Sequence, residues 1–138
     1  MIRFGLLGCG RIAKRHSDLL GGNHIAGASL VAVCDPIRAR ADAVAGKFAV
    51  PAHYDMDEFL ARKDIDAVAV LTPSGLHPAH VIACAKAGKH VVVIGGGDTA
   101  MDCAANAHRE HAASVTILDT YDAPLGPYAR DTVPWPDA

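Results

Sequence analysis

Aromatic residues make up only 5% of the 138 positions, against 51% apolar residues in all, so the core must be assembled from Val, Ile, Leu and Ala. That palette suits a parallel sheet covered on both faces. An excess of positive charge is also missing. The net charge is −2 and no basic block is present, which removes the electrostatic footprint of a nucleic-acid binder. No apolar run approaches the roughly 20 residues of a membrane-spanning helix. The opening Met1-Ile2-Arg3-Phe4 enters a strand without the pattern of a secretory leader, so no membrane role and a cytoplasmic location are expected. Metal-ligand spacing is absent: Cys9, Cys34, Cys84 and Cys103 form no Cys-x-x-Cys pair and fall on elements expected to be buried. They read as reduced core residues.

What the chain does have is glycine, concentrated at two strand ends. Phe4-Gly5-Leu6-Leu7-Gly8-Cys9-Gly10-Arg11-Ile12-Ala13 is an apolar strand running into Gly-x-Gly-x-x-Ala, and Lys89-His90-Val91-Val92-Val93-Ile94-Gly95-Gly96-Gly97-Asp98-Thr99-Ala100 repeats the device. Such a turn lets backbone N–H groups converge on a phosphate at a helix N-terminus, with glycine where a side chain would block the approach. Each turn also has its acid. The strand Ser29 to Cys34 ends at Asp35, and Ser114 to Leu118 ends at Asp119, each about 20 positions beyond its glycine turn, the interval expected of a ribose-binding carboxylate.

Between these landmarks strands and helices alternate. Ile2 to Leu7 is the first strand, followed by a helix with Ile12, Ala13, His16, Leu19 and Leu20 on its inner face and Gly21-Gly22 as its stop. His16 reads as a packed core histidine. Pro36 opens a helix running to about Phe48, Val50 to Tyr54 is a short extended piece, and Asp57 caps a brief helix containing Phe59 and Leu60. Asp66 to Leu71 is the fourth strand, Pro78 starts a helix ending at Gly88, and His90 to Ile94 is the fifth strand. After the second turn, Ala100, Cys103, Ala104 and Ala107 line a helix face of small residues that precedes the sixth strand, Ser114 to Leu118. Residues 1–119 therefore form one α/β domain, a doubly wound parallel six-stranded sheet in three layers with the Rossmann order 3-2-1-4-5-6. Residues 120–138, punctuated by Pro124, Gly126, Pro127, Pro134 and Pro136, form an irregular tail holding Trp135. The open edge at the sixth strand invites pairing with a second copy, so a homodimer is expected.

Two resemblances follow from these motifs. Gly8-Cys9-Gly10-Arg11-Ile12-Ala13 with His16, Val33-Cys34-Asp35-Pro36, Thr72-Pro73 with His77, and Ala87-Gly88-Lys89-His90-Val91 resemble the nucleotide-binding domain of the glucose-fructose oxidoreductase and inositol dehydrogenase family across residues 1–93. In that family the fifth strand runs into Glu-Lys-Pro, whose lysine helps carry catalysis; Ile94, Gly95 and Gly96 stand at those positions here. From about Lys89 onward the chain resembles the pyridine-nucleotide domain of the glutamate synthase small subunit, through Val93 to Cys103, Ser114-Val115-Thr116 and Pro134-Trp135-Pro136. The whole looks like a chimera of two Rossmann parts joined through a shared strand.

The resemblance implies a cofactor set of Gly8, Gly10, Arg11 and Ile12 at the pyrophosphate turn, Asp35 and Arg40 near the adenosine ribose, and Thr72, Pro73 and His77 towards the nicotinamide. Asp35 repels a 2′-phosphate and favours NAD over NADP, a bias that Arg38 and Arg40 soften. The second turn at Gly95 to Gly97 serves either as close packing of helix on strand or as an anion site. Three functions stay open: an NAD(P)-binding domain of oxidoreductase origin that is not catalytic alone, a small oxidoreductase or subunit completed by a partner chain, and a fold chimera that binds no ligand.

Overall fold

The computed structural model describes residues 1–94, 103, 105, 106, 108–110, 112 and 114–118. Its elements are β1 (Ile2–Leu7), α1 (Ala13–Gly21), β2 (Ala28–Cys34), α2 (Arg38–Phe48), β3 (Ala52–His53), α3 (Met56–Leu60), β4 (Ala67–Val70), α4 (His77–Lys86), β5 (His90–Ile94) and β6 (Ser114–Leu118). A single 3-10 turn at Ser74–Leu76 leads into α4. All strand pairings are parallel, and the order β3-β2-β1-β4-β5-β6 is the one expected from the alternation of elements. The order reverses between β1 and β4, which puts a crevice at the carboxyl ends of those two strands.

Strand alternation divides the apolar residues between two cores. Leu6 and Val33 face Leu20, Ala41 and Ala45 on the side covered by α1 and α2. Leu7, Ala32 and Cys34 face Phe59, Leu60, Val81, Cys84 and Ala85 on the side of α3 and α4. Phe59 is fully buried, an aromatic anchor in a core otherwise made of aliphatic side chains, alanine and cysteine.

Several boundaries differ from those read in the sequence, each for a local reason. The inner face of α1 is Ala13, Ser17 and Leu20, whereas Ile12 and Leu19 are 62% and 37% exposed and His16 is only half-buried. The glycine turn delivers the first turns of the helix close to the sheet, where the small Ala13 and Ser17 are buried, with Leu20 following on the same face. Ser17 settles its hydroxyl there by donating to the Lys14 carbonyl at 3.0 Å. The second helix begins at Arg38 rather than Pro36, because Asp35 Oδ1 accepts from the Ile37 N–H at 2.8 Å and holds Ile37 extended. Asp55, not Asp57, caps α3, its Oδ1 accepting from the Glu58 N–H at 3.0 Å. The second glycine turn with Asp98, Thr99 and Ala100, the neighbouring Ala104 and Ala107, the acid Asp119 and the tail 120–138 lie outside the described residues. Cys103 is buried, as its place in the pattern predicts.

One anchor has no counterpart in the sequence reading. Lys89 is 93% shielded from solvent, yet its Nζ donates to the carbonyls of Arg62 at 2.6 Å and Ile65 at 3.0 Å. Burial lowers its pKa, and the carboxylates of Asp64 and Asp66 work against that fall. The ammonium thereby ties the start of β5 to the segment leading into β4.

Gly5 is a tight point of the core. A Cβ there would lie 2.5 Å from Phe59 Cζ and 3.0 Å from Ile65 Cδ1, and both side chains are buried with no room to retreat. Gly5→Ala is therefore expected to destabilise the fold by about 1–3 kcal/mol through overpacking. The measurement is a urea midpoint at unchanged slope; a wild-type midpoint would mean that the ring has space these distances deny it.

Candidate functional site

The ends of β1, β2 and β4 converge on Gly8. Its N–H donates to the Cys34 carbonyl at 2.8 Å, and the Leu71 N–H donates to the Leu7 carbonyl at 2.7 Å, so three neighbouring strands are stitched together where they end. Gly8 adopts φ +102°, and a Cβ on it would lie 2.8 Å from the Leu71 carbonyl carbon and 2.9 Å from Thr72 N. Both backbone conformation and space demand glycine here. Gly10 is different: a Cβ there would meet nothing within 4 Å. The protein leaves clear space above Gly10, at the N-terminal end of α1, whose first turn carries no acidic residue. Arg11 and Ile12 sit exposed on the same turn.

Asp35 reaches this turn from the end of β2. Its Oδ2 accepts from the Cys9 N–H at 2.9 Å and its Oδ1 from the Ile37 N–H at 2.8 Å, with only 5% of the residue exposed. Each carboxylate oxygen has a second acceptor direction beyond these bonds, so the acid retains capacity for ribose hydroxyls. Open space over Gly10, helix-start N–H groups and a carboxylate beside them fit a dinucleotide in chemistry and in room.

Arg40 lines, with Cys9, Gly10 and Lys14, a groove of about 410 Å³ between α1 and α2. Arg38 points its guanidinium elsewhere, 4.0 Å from the centroid of the Tyr54 ring, whose hydroxyl donates to Asp42 at 2.6 Å. Of the two arginines that the sequence offers near Asp35, the structure brings only Arg40 to the glycine turn.

Across the crevice stand Thr72, Pro73 and His77. His77 Nε2 lies 2.5 Å from the Thr72 carbonyl, to which it donates. His80, absent from the sequence reading, lies with Nδ1 2.7 Å from Thr72 Oγ1. Two imidazoles on the first turn of α4 thus hold one residue, by its backbone and by its hydroxyl. Their spacing of three on a helix start was the available signal. Burial lowers the pKa of His80, and the neighbouring His77 lowers it further.

The four cysteines are buried and none is joined in a disulfide. Burial, aided by Asp35, pushes the Cys9 thiol up to about 12 and Cys34 to about 11, and burial alone drives Cys84 to about 12. None of these three offers a thiolate nucleophile. Among the described residues no group of three or more His, Cys, Asp or Glu side chains is placed to hold a metal ion, and no helix is long and apolar enough to cross a membrane.

Comparison with known proteins agrees with this geometry. Residues 2–93 match the oxidoreductase family with an NAD-binding Rossmann fold, and residues 90–133 match the pyridine nucleotide-disulphide oxidoreductases. The chain is 43% identical over 90 residues to inositol 2-dehydrogenase of Rhizobium meliloti, covering 65% of this chain and 26% of that protein. It is 69% identical over 32 residues to the small chain of NADPH glutamate synthase from Azospirillum brasilense, covering 23% of this chain and 7% of that one. The scyllo-inositol dehydrogenase of Lactobacillus casei, solved with NAD(H) and scyllo-inositol bound, superposes with a TM-score of 0.71 at 28% identity over 85% of this chain and 36% of that one. The chain spans about a quarter of the length of the inositol dehydrogenases it matches.

The histidines give the fold a pH dependence of definite sign. His80 and His53 both have folded pKa values below 6.5, His53 through burial first and Arg62 second. Between the folded values and 6.5 the unfolded chain binds more protons, so stability falls as pH drops through that window and is unaffected by these groups above it. The urea midpoint is expected to fall between about pH 7.5 and about pH 5.5, and less steeply in His80→Gln. An identical slope in the variant would remove His80 from this account.

Proposed function

Because the chain belongs to the oxidoreductase family with the NAD-binding Rossmann fold, we propose that it binds one NAD(H) across the crevice between β1 and β4. Gly8, Gly10, Arg11 and Ile12 receive the pyrophosphate at the start of α1, Asp35 accepts from the adenosine ribose with Arg40 alongside, and Thr72, Pro73 and His77 form the wall for the nicotinamide half. The observation that carries this reading is the pairing of an obligatory glycine at Gly8 with an unobstructed one at Gly10, both tied to a buried acid through Cys9. NAD is the cofactor of the family, and when bound it supplies a hydride acceptor. This chain's residues bind and orient it: Thr72, held at both its carbonyl and its hydroxyl by His77 and His80, presents a fixed surface to the nicotinamide side.

We take residues 1–119 as the binding domain and propose that it is not catalytic alone. Ile94, Gly95 and Gly96 stand where the resemblance calls for Glu-Lys-Pro, and the chain covers a minor part of its relatives. Without a positioned base a bound nicotinamide has nothing to take the proton from a substrate hydroxyl. Purified chain is expected to form no NADH from inositol or glucose, and robust turnover would overturn this. The match of residues 90–133 to a second nucleotide-binding family favours one further reading, a nucleotide-binding subunit completed by a partner chain. Self-association through the β6 edge is the homodimer proposed with it.

The two glycines provide the decisive comparison. Gly10→Val adds a side chain into open space, so the fold is expected to survive while calorimetric NADH binding, one equivalent per wild-type chain, is lost. Gly8→Ala must force a left-handed conformation against the Leu71 backbone, and a cost of at least about 1–3 kcal/mol is expected in stability itself. Wild-type NADH affinity in Gly10→Val would place the ligand elsewhere; no binding by the wild-type chain would leave the fold chimera as the reading.

A further inference from the structure

We infer that the contact between Arg62 and His53 is a pH-sensitive latch, which fastens the edge strand β3 to the segment between α3 and β4 and, when His53 takes up a proton, loosens the end of β2 at Asp35. β3 has only two residues and two register pairs with β2, Val33 with Ala52 and Cys34 with His53, and it lies at the edge of the sheet. Its segment nevertheless supplies two acceptors to β2. The Pro51 carbonyl takes the Val33 N–H and the His53 carbonyl takes the Asp35 N–H, each at 3.1 Å. So short a ladder has little main-chain hold of its own, and side chains must keep it in place.

The His53 ring does this from β3. It meets the Phe59 ring edge-on, with centroids 6.0 Å apart, and its Nε2 lies 3.2 Å from Arg62 Nη1. A guanidinium donates and cannot accept, so Nε2 is the bare, accepting nitrogen and the ring proton sits on Nδ1. Arg62 cannot follow the ring if it moves. Its Nε and Nη2 donate to Asp64 at 2.9 and 2.5 Å, and its carbonyl accepts from the Lys89 ammonium at 2.6 Å. A second proton on His53 turns Nε2 into a donor aimed at a cation, so the bond is lost and two positive charges stand at hydrogen-bond distance. With Arg62 anchored by both side chain and main chain, the displacement falls on His53 and therefore on β3.

The charges around the ring set the direction of the switch. Arg62 opposes the added proton, whereas Glu58 from α3 and Asp64 from the following segment favour it. Cys34, across the ladder on β2, has its thiol pushed up to about 11 and stays neutral. Burial first and Arg62 second outweigh the two carboxylates, so the latched imidazole has a pKa below 6.5. The open state then binds more protons than the latched one, and opening grows as pH falls below 6.5 and is unchanged above it.

The test is amide hydrogen exchange in the full chain between about pH 7.5 and about pH 5.5, read as protection factors so that the pH dependence of intrinsic exchange divides out. Protection of the Val33 and Asp35 amides is expected to fall by at least about threefold over that range, while that of Leu71, whose N–H donates to the Leu7 carbonyl, holds. His53→Gln keeps an acceptor for Arg62 that does not titrate, and is expected to abolish the pH dependence. Arg62→Met removes the cation, and is expected to leave Val33 and Asp35 less protected already at about pH 7.5, with a smaller further loss on acidification. Protection in the wild type that is flat in pH, an equal loss at Leu71, a pH dependence that survives His53→Gln, or a wild-type profile in Arg62→Met overturns the latch. Should Arg62→Met fail to fold by circular dichroism, the wild-type and His53→Gln profiles decide by themselves.

Discussion

The close approach of the β1 end to the β4 end at Gly8 is the constraint on which the rest of the molecule depends. Any side chain at Gly8 would collide with the main chain of Leu71 and Thr72. Its positive φ turns the chain sharply enough that α1 starts directly over the sheet. From this one turn follow the small residues along the buried face of α1, the open space over Gly10 and the reach of Cys9 to Asp35. A dinucleotide site at a switch point is therefore the shape left when three parallel strands end together and the chain leaves in opposite directions on either side.

The two walls of that crevice are held by different chemistry. On the β1–β2 side the acid is a tether, its oxygens drawn into the turn by backbone N–H groups. On the β4 side Thr72 is pinned by the imidazoles of His77 and His80. The first wall is fixed by backbone geometry. The second wall is set by side chains, and burial lowers the pKa of one of them, His80.

The sheet order, the strand positions and the glycine-plus-acid unit were legible in the sequence, because short continuous apolar runs and a glycine at a strand end leave few alternatives. The pairing of Gly8 and Asp35 at one turn could be read from spacing alone. Helix faces and caps were less legible. Ile12 and Leu19 have the period of a buried stripe, yet the close packing imposed by the turn selects Ala13 and Ser17 instead. Asp55 and Asp57 are equally good caps by type, and only the chain direction after β3 chooses between them. His80 and Lys89 escaped because their roles arise from tertiary neighbours: a threonine eight residues earlier and two carbonyls in the segment before β4. Arg38 and Arg40 are indistinguishable as letters, and it is Tyr54 that separates them.

β5 is the strand shared by both family matches. A parallel ladder is written in main-chain groups, which are the same for every sequence, so a strand from one lineage completes a sheet from another provided its apolar faces agree. The joint carries a mechanical signature. Among the described residues β4 and β5 share two register pairs, Ala67 with His90 and Val68 with Val91, whereas β5 and β6 are paired at five positions from His90–Ser114 to Ile94–Leu118. Along its length β5 is thus laddered to β6 at more positions than to β4. The short ladder beside β4 is reinforced from the start of β5, where the Lys89 ammonium holds the carbonyls of Arg62 and Ile65 ahead of β4 and so fastens the shared strand to the sheet by a side chain where main-chain pairs are few.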